Sequence, residues 1–343
     1  MARSPRDYDE SDVRIRPNPR GSRPRTKERP AHADAVGGRV TAVDRGRYRV
    51  RVDGGGEGER TVLAMRAREL GRRGIAVGDA VALVGDTAGG PDALARIVRV
   101  EPRRTVLRRT ADDTDPVERV LVANADQLVV VSSLADPEPR PRLIDRCLVA
   151  AYDAGLDPLL VLTKADLADA DDFLRDYTPL AVRHVVTATE LDAATRGLDV
   201  LRDALRGRVS VLVGHSGVGK STLVNALVPD AERATGSVND VTGRGRHTSS
   251  SAVALELPGG DGWVVDTPGV RSFGLAHVDL GRIVQHFPDL EPGTAGCPRG
   301  CTHDEEECAL GRWVASGAAG PAGRARLDSL RRLLRARAGT PED

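Results

Sequence analysis

The stretch VLVGHSGVGKSTLVNAL, residues 211–227, constrains the fold of this chain more than any other feature. It places the pattern GxxxxGKS between an apolar run, which predicts a buried strand, and a helical sequence. Glycines in such a loop let backbone N–H groups point inward around phosphate oxygens, and the helix N-terminus adds a favourable dipole. We therefore predict a phosphate loop (residues 214–221) whose nucleotide contacts, with the next residue, are Gly214, His215, Ser216, Gly217, Val218, Gly219, Lys220, Ser221 and Thr222.

Within the phosphate loop, Lys220 should reach the β- and γ-phosphates and Ser221 should bind Mg²⁺ through its hydroxyl.

Two later segments fit the same nucleotide. In DTPG, Asp266 ends an apolar strand and can orient Mg²⁺ through water, and Gly269 can offer its N–H to the γ-phosphate. The alternative for DTPG is a simple turn before a helix. Between the two lies GRGRHTSS (residues 243–250), the predicted switch segment, in which Thr248 is the expected Mg²⁺ ligand and Ser249 its competitor.

The base-recognition residues lie earlier in the chain. LVLTKADL ends a predicted strand with Thr163, Lys164, Ala165 and Asp166, which we call the base motif. Guanine presents two adjacent N–H donors that one carboxylate can accept together, and adenine has no such pair, so Asp166 predicts guanine specificity. The Lys164 stem would cover the ring, and the next strand ends with Thr187 and Ala188, whose N–H can meet the guanine O6.

Lysine usage supports these two assignments. Of the 50 Lys and Arg residues, only Lys27, Lys164 and Lys220 are lysine, and two of these three fall in the base motif and the phosphate loop. An ammonium and a guanidinium are not interchangeable at a tight site. With so few lysines, chance placement is the alternative explanation. These motifs resemble the G motifs of GTPases, with the base motif preceding the phosphate loop, an order that indicates a circular permutation.

The rest of the chain predicts a multidomain protein. Residues 1–35 are rich in Arg, Pro and Ser and predict a disordered basic arm, either merely solvated or binding a polyanion. Residues 36–110 contain short strands with glycine turns, which predict an oligonucleotide-binding (OB) β-barrel that binds RNA. In one strand Tyr48, Val50 and Val52 alternate with three arginines. Residues 111–280 alternate apolar strands with helices, so we expect an α/β circularly permuted P-loop GTPase domain.

Residues 281–343 predict a zinc-binding α domain that ends in a helix. CPRGCTHDEEEC supplies Cys297, Cys301, His303 and Cys308, which would form a closed, structural tetrahedral zinc site. Disulfides are the alternative, disfavoured for a cytoplasmic protein. The acidic run at residues 304–307 is expected to be solvated charge. One face of the last helix is expected to dock on the rest of the protein. This face carries Leu327, Leu330, Leu333 and Leu334. Cys147 lies at helical spacing and is expected in the core.

The motifs TKAD, GHSGVGKS, GRGRHTSS and DTPGV and the cysteine cluster, after a barrel-like domain, resemble the family of ribosome small-subunit-dependent GTPase A, the RsgA/YjeQ proteins. The resemblance covers roughly residues 36–315. It implies GTP hydrolysis to GDP, binding to the small ribosomal subunit and its rRNA, and a role in late subunit maturation. Two departures are Thr163, where the family more often has Asn, and metal-ligand loops about one residue shorter each.

The hydrolytic residue must be found outside DTPG. Many GTPases place a glutamine directly after this segment, but here the residue is Val270. His247 can position or deprotonate water, and the resemblance supports it because the family carries a His-Thr pair here. The alternative is that His247 contacts RNA or solvent.

The composition indicates where in the cell the protein is expected to be. No apolar run approaches the roughly 20 residues that span a bilayer, and the first thirty residues have no signal-peptide core. We expect a cytoplasmic monomer without membrane contact. Two further hypotheses remain: a guanine-nucleotide-gated RNA-binding module with incidental hydrolysis, and a GTPase with a non-ribosomal partner.

Overall fold

The structure, a computed structural model, describes residues 32–44, 46–52, 60–71, 74–90, 93–109, 119–189, 195–229, 252–267, 273, 275 and 278–338. Most of the predicted basic arm therefore lies outside the described residues. The strands are β1 (Val36–Asp44), β2 (Arg47–Val52), β3 (Arg60–Arg66), β4 (Ala80–Gly85), β5 (Ala95–Val100), β6 (Val106–Arg109), β7 (Arg119–Ala123), β8 (Gln127–Ser133), β9 (Asp157–Thr163), β10 (Arg183–Val186), β11 (Ala188–Thr189), β12 (Thr195–Arg196), β13 (Arg208–Val213), β14 (Val253–Glu256) and β15 (Gly262–Asp266). The helices are α1 (Pro141–Ala154), α2 (Asp171–Arg175), α3 (Leu198–Leu205), α4 (Lys220–Leu227), α5 (Leu280–Val284), α6 (Ala309–Ala315) and α7 (Gly323–Ala338). Short 3-10 turns cover Arg68–Leu70, Thr178–Leu180, Pro258–Gly260 and Glu291–Gly296.

The central α/β part is built on a mostly parallel sheet. Within the described residues its strand order is β10-β9-β8-β13-β15-β14, parallel except for β14. Every residue of β8 is buried, as expected for a parallel strand covered on both faces. Helices α3 and α4 pack on one face, and α1, α5 and α7 pack on the other. Cys147 is buried in α1, which confirms the prediction that it is a core residue.

The N-terminal part is a β-barrel, as predicted. Strands pair in the order β1-β2-β3-β5-β4, and β4 pairs back with β1 to close the barrel. The alternation in β2 has the expected consequence, since Tyr48, Val50 and Val52 are buried in the barrel core while Arg47 is exposed. The fold class is thus confirmed: a barrel, a permuted α/β domain, and a helical C-terminal part that carries a Cys₃His cluster.

The C-terminal helix docks on the α/β part. The four predicted leucines of α7 are buried in the same core as α1. Beside them the Arg332 guanidinium lies 3.0 Å from the buried Asp145 carboxylate and 5.0 Å from the Tyr177 ring centroid. Burial raises the pKa of Asp145 to about 6, although Arg332 acts to lower it. Within the described residues, no helix has the length and apolar character to cross a bilayer.

The barrel and the α/β part are joined through backbone and side-chain contacts. Barrel strand β1 pairs with β14 at Ala42 and Val253, so one sheet runs through both parts. The Arg51 guanidinium donates to the Glu256 carboxylate at 2.9 Å across the same boundary. At a second place, the side-chain amide of Asn124, just before β8, donates to the carbonyl of Gly78, just before barrel strand β4, at 3.0 Å. The barrel is therefore fixed to the α/β part at two separate places.

Gly78 should be intolerant of a side chain. Its φ is +88°, and a Cβ there would lie 2.0 Å from the Ala123 carbonyl oxygen. We expect Gly78→Ala to lower the free energy of unfolding by more than about 2 kcal/mol, measured by chemical denaturation. Gly90→Ala is the control, because no atom lies within 4 Å of its added Cβ, and its effect should stay within about 1 kcal/mol. Equal stability of the two variants would contradict the tight junction.

Candidate functional site

The phosphate loop connects β13 to α4 at the carboxyl edge of the parallel sheet. Its backbone requires glycine, since Gly217 and Gly219 have φ of +85° and +86°. A Cβ on Gly214 would lie 2.5 Å from the Val131 carbonyl oxygen of β8. Helix α4 begins at Lys220, so its first N–H groups belong to the end of this loop, where Ser221 and Thr222 are exposed. This geometry fits an anion held by backbone N–H groups and a helix N-terminus.

Lys220 and Asp266 lie side by side. Strands β13 and β15 are parallel neighbours, with Leu212 opposite Asp266, so the loop after β13 meets the end of β15. The Lys220 ammonium forms an ion pair with the Asp266 carboxylate, and the lysine side chain is only 12% exposed. The Lys220 ammonium is the cation expected at the β- and γ-phosphates, and the Asp266 carboxylate is the group expected to orient Mg²⁺. The two groups therefore lie next to each other.

The base motif contacts the phosphate loop directly. The Thr163 hydroxyl, at the end of β9, donates to the Val218 carbonyl at 2.6 Å. A Cβ on Gly219 would lie 3.6 Å from the same hydroxyl oxygen. The two motifs, whose bonded residues Thr163 and Val218 are 55 positions apart in the chain, therefore lie against each other at one edge of the sheet. Asp166, three residues after Thr163, is exposed at this edge.

Backbone hydrogen bonds fix the base motif to the next strand. The Ala165 N–H donates to the Thr187 carbonyl at 3.1 Å, and the Thr187 N–H donates to the Leu162 carbonyl at 2.7 Å. Ala188 follows at once and is buried. Lys164 has a φ of +59°, a left-handed conformation, and its ammonium donates to the Asp136 carbonyl. These hydrogen bonds thus bring together the segments that contain Asp166 and Ala188, as is required if both residues contact the same base.

Sequence reasoning missed the loop that follows β8. Its Asp136 carbonyl accepts from Lys164, and Pro137 lies 3.5 Å from the position of a Cβ on Gly217. The loop therefore touches both the base motif and the phosphate loop. The signal was present, because polar residues after a buried parallel strand lie at the edge where ligands bind.

Some predicted site residues cannot be located. The switch segment with His247, Thr248 and Ser249 lies outside the described residues, as does Gly269. Their described neighbours are Ala252, just before β14, and Thr267, just after β15. The roles predicted for these residues stay predictions.

The four predicted metal ligands form one cluster, which we call the metal cluster. Their ligand atoms all lie within 4.8 Å of one another. The Cys297 sulfur lies 3.6 Å from His303 Nδ1 and 3.7 Å from the Cys308 sulfur. Burial lowers the pKa of His303, which favours the neutral imidazole that binds metals. The donor set and spacing fit a single metal ion.

The acidic run between His303 and Cys308 was predicted to be solvated charge, which holds for the exposed Glu305, Glu306 and Glu307 but not for the partly buried Asp304. The Asp304 carboxylate accepts two hydrogen bonds from the Arg335 guanidinium of α7, both at 2.9 Å. Glu305 accepts from the Thr302 N–H at 3.0 Å, and hydrogen bonds of this kind lower its pKa to about 2. Arg331 also donates to the His303 carbonyl at 3.2 Å. These residues fasten the ligand loop to itself and to α7.

Comparison with known sequences identifies the chain. The sequence model of the RsgA GTPase family matches residues 100–276. The chain belongs to the RsgA GTPase family. Family members are GTP hydrolases, which confirms the predicted enzyme class.

Individual relatives agree with this assignment. A Gemmatimonas aurantiaca protein named small ribosomal subunit biogenesis GTPase RsgA is 37% identical over 272 residues, which cover 77% of this chain and 87% of that protein. A Pseudomonas aeruginosa protein of the same name is 40% identical over 253 residues, covering 71% and 72%.

Solved structures support the fold. YjeQ from Thermotoga maritima superposes with a TM-score of 0.62 at 26% identity, covering 90% of this chain and 100% of that one. YloQ, described as a circularly permuted GTPase, gives 0.61 at 21% identity, covering 92% and 100%. The order of motifs inferred from the sequence is thus a known arrangement of this fold.

Thr163 should matter for binding of any guanine nucleotide. Thr163→Val keeps the side-chain shape but leaves the Val218 carbonyl without its donor, so we expect the Kd for GDP to rise about tenfold. Fluorescent GDP titration measures this change. The control is Thr178→Val, an exposed threonine whose hydroxyl donates to the Leu174 carbonyl, four residues earlier, at 2.9 Å. An unchanged Kd for Thr163→Val would show that the contact between the two motifs is dispensable.

Proposed function

We propose that this chain is a GTPase that binds the small ribosomal subunit and its rRNA, assists late maturation of the subunit, and hydrolyses GTP to GDP and phosphate faster when the subunit is bound. The observation that carries the proposal is the hydrogen bond from Thr163 to Val218, which joins the base motif to the phosphate loop. The name small ribosomal subunit biogenesis GTPase, carried by relatives up to 40% identical, supports the partner.

Guanine is selected by Asp166. Its exposed carboxylate accepts the two donors on the Watson–Crick edge of the base. The Lys164 stem covers the ring, and the Ala188 N–H donates to O6. Backbone bonds between Ala165, Thr187 and Leu162 hold the two segments that carry these groups next to each other, which supports the assignment.

The phosphates are bound by backbone N–H groups of the phosphate loop, by Lys220 and by the start of α4. Ser221 and Thr248 bind the Mg²⁺ that accompanies GTP, and Asp266 orients it through water. Bound Mg²⁺ neutralises charge that develops on the phosphates. Gly269 donates its N–H to the γ-phosphate. The Lys220–Asp266 ion pair supports this arrangement, because it shows that the two groups can reach one point.

His247 positions the attacking water, because Val270 offers no polar group for this task. The metal cluster holds one structural zinc ion, since four protein ligands leave no position for water. We assign residues 1–35 to a basic arm, 36–110 to an RNA-binding barrel, 111–280 to the GTPase domain and 281–343 to the zinc domain. The protein acts in the cytoplasm as a monomer, without a membrane partner.

Hydrolysis should depend on both the subunit and His247. We expect purified small subunits to raise multiple-turnover GTP hydrolysis more than about tenfold, and large subunits, the control, to leave it unchanged. His247→Ala should retain GTP affinity and lose at least about 90% of the stimulated rate, because water is no longer positioned.

Three results would argue against the proposal in different ways. Unchanged stimulated turnover in His247→Ala would reject the role of His247. Tight nucleotide-dependent binding of subunits without stimulation would favour an RNA-binding module. Absence of any subunit binding would favour another partner.

Zinc removal should unfold the C-terminal part. We expect elemental analysis to find about one zinc ion per chain. Cys301→Ser should lose the ion and lower the melting temperature, whereas Cys147→Ala, in the α/β core, should keep the ion. Retention of full zinc content in Cys301→Ser would contradict the site.

A further inference from the structure

Two buried hydroxyl groups end neighbouring strands at the carboxyl edge of the sheet. Ser133 is the last residue of β8 and Thr163 is the last residue of β9, and the two lie opposite each other in the parallel register. The Thr163 hydroxyl donates to the Val218 carbonyl of the phosphate loop. The Ser133 hydroxyl donates to the Pro137 carbonyl at 2.6 Å. Each hydroxyl therefore fixes one loop at this edge, and the loop fixed by Ser133 is the one between β8 and α1, which we call the β8–α1 loop (residues 134–140).

The β8–α1 loop contacts the base motif at two points. The Leu134 N–H donates to the Thr163 carbonyl at 2.9 Å, and the Asp136 carbonyl accepts from the Lys164 ammonium. A lysine side chain is a flexible four-carbon stem that ends in a point charge, so its direction depends on where its ammonium finds an acceptor. The position of the Asp136 carbonyl therefore determines where the Lys164 stem lies.

The backbone on both sides of this contact is held in an uncommon conformation. Asp136 and Lys164 have φ of +41° and +59°, in the left-handed region. Residues other than glycine keep such a conformation where the surrounding structure holds them in it. The Ser133 hydroxyl bonds the loop at Pro137, the residue directly after Asp136. It is thus placed to keep the Asp136 carbonyl directed at Lys164.

Two routes lead from Ser133 to the nucleotide site. Through Asp136 and Lys164 the β8–α1 loop reaches the base motif, and through Pro137 it approaches Gly217 of the phosphate loop. The first route contains a charge-assisted hydrogen bond, which is stronger and more directional than a van der Waals contact. The second is a van der Waals approach to a glycine, which has no side chain to be positioned. The geometry therefore favours the route to the base motif.

We propose that Ser133 is a positioning residue for the guanine base, which fixes the Asp136 carbonyl and thereby holds the Lys164 stem over the ring. The inference rests on the proposed function, in which Lys164 covers the base, and it assigns a role to a residue outside the sequence motifs. The simpler alternative is that Ser133 only satisfies the Pro137 carbonyl and stabilises the fold. The two differ in one respect, because only the positioning role requires Lys164.

The test is a double-mutant cycle between Ser133 and Lys164. Fluorescent GDP is titrated into the full-length wild type, Ser133→Ala, Lys164→Ala and the double variant, and the melting temperature of each protein is measured without nucleotide. Ser210→Ala is the matched control. Ser210 is a fully buried serine on the neighbouring strand β13, and among the residues that the structure describes its hydroxyl has no hydrogen-bond partner.

We expect Lys164→Ala to weaken GDP binding about tenfold and Ser133→Ala to weaken it about fivefold. The double variant should bind GDP within about twofold of Lys164→Ala alone, because without the ammonium the position of the Asp136 carbonyl no longer affects the base. Ser210→Ala should keep the wild-type Kd. Ser133→Cys, which has a similar shape and a weak donor, should reproduce the loss of Ser133→Ala, so the test does not depend on the folding of one variant.

A fivefold loss from Ser133→Ala in both backgrounds would show that Ser133 acts without Lys164, and this additive result would overturn the proposal. Wild-type affinity of Ser133→Ala for GDP would overturn it as well. A wild-type protein that does not bind GDP would instead refute the proposed function itself, so the two failures are distinguishable.

Discussion

The site depends on one hydrogen bond between two distant parts of the chain. Thr163 is the last residue of β9, the Val218 carbonyl belongs to the loop after β13, and β8 lies between those strands. Parallel strands place their carboxyl ends at one edge, so the sheet brings the two loops within reach and the hydroxyl fixes their spacing. A guanine nucleotide needs its base and its phosphates bound at a set distance, and we propose that this contact sets that distance. The order of the motifs along the chain is irrelevant to that requirement, and a permuted sequence can therefore build the same site.

Strand β14 links the α/β sheet to the barrel. In the sequence β14 follows the predicted switch segment, and it pairs with β15 on one side and with barrel strand β1 on the other. The ion pair between Arg51 and Glu256 crosses the same boundary. On the face of the sheet that is covered by α1, α5 and α7, helix α7 contacts the metal-ligand loop through Arg335 and contacts α1 through Arg332. Direct contacts therefore connect the barrel to β14, and the C-terminal part to α1.

Features with a local signal could be predicted from the sequence. The apolar run of β8, the alternation in β2 and the helical spacing around Cys147 each follow from the backbone period of one element. The phosphate loop and the metal ligands could be identified because their spacing is short. Contacts between distant segments could not be predicted this way. The pairing of Ala42 with Val253 and the bond from Lys164 to the Asp136 carbonyl arise only when the whole sheet forms. The error at Asp304 has the same origin, since its partner Arg335 lies 31 residues away.

We propose that Asp166 and Lys220 bind the two ends of one guanine nucleotide. A crystal structure of the protein with Mg²⁺ and a non-hydrolysable GTP analogue tests it most directly. We predict the guanine N1 and N2 within about 3.2 Å of the Asp166 carboxylate, and the Lys220 ammonium within the same distance of a β- or γ-phosphate oxygen of the same molecule. A nucleotide bound with its base away from Asp166, while its phosphates occupy the loop, would contradict the account.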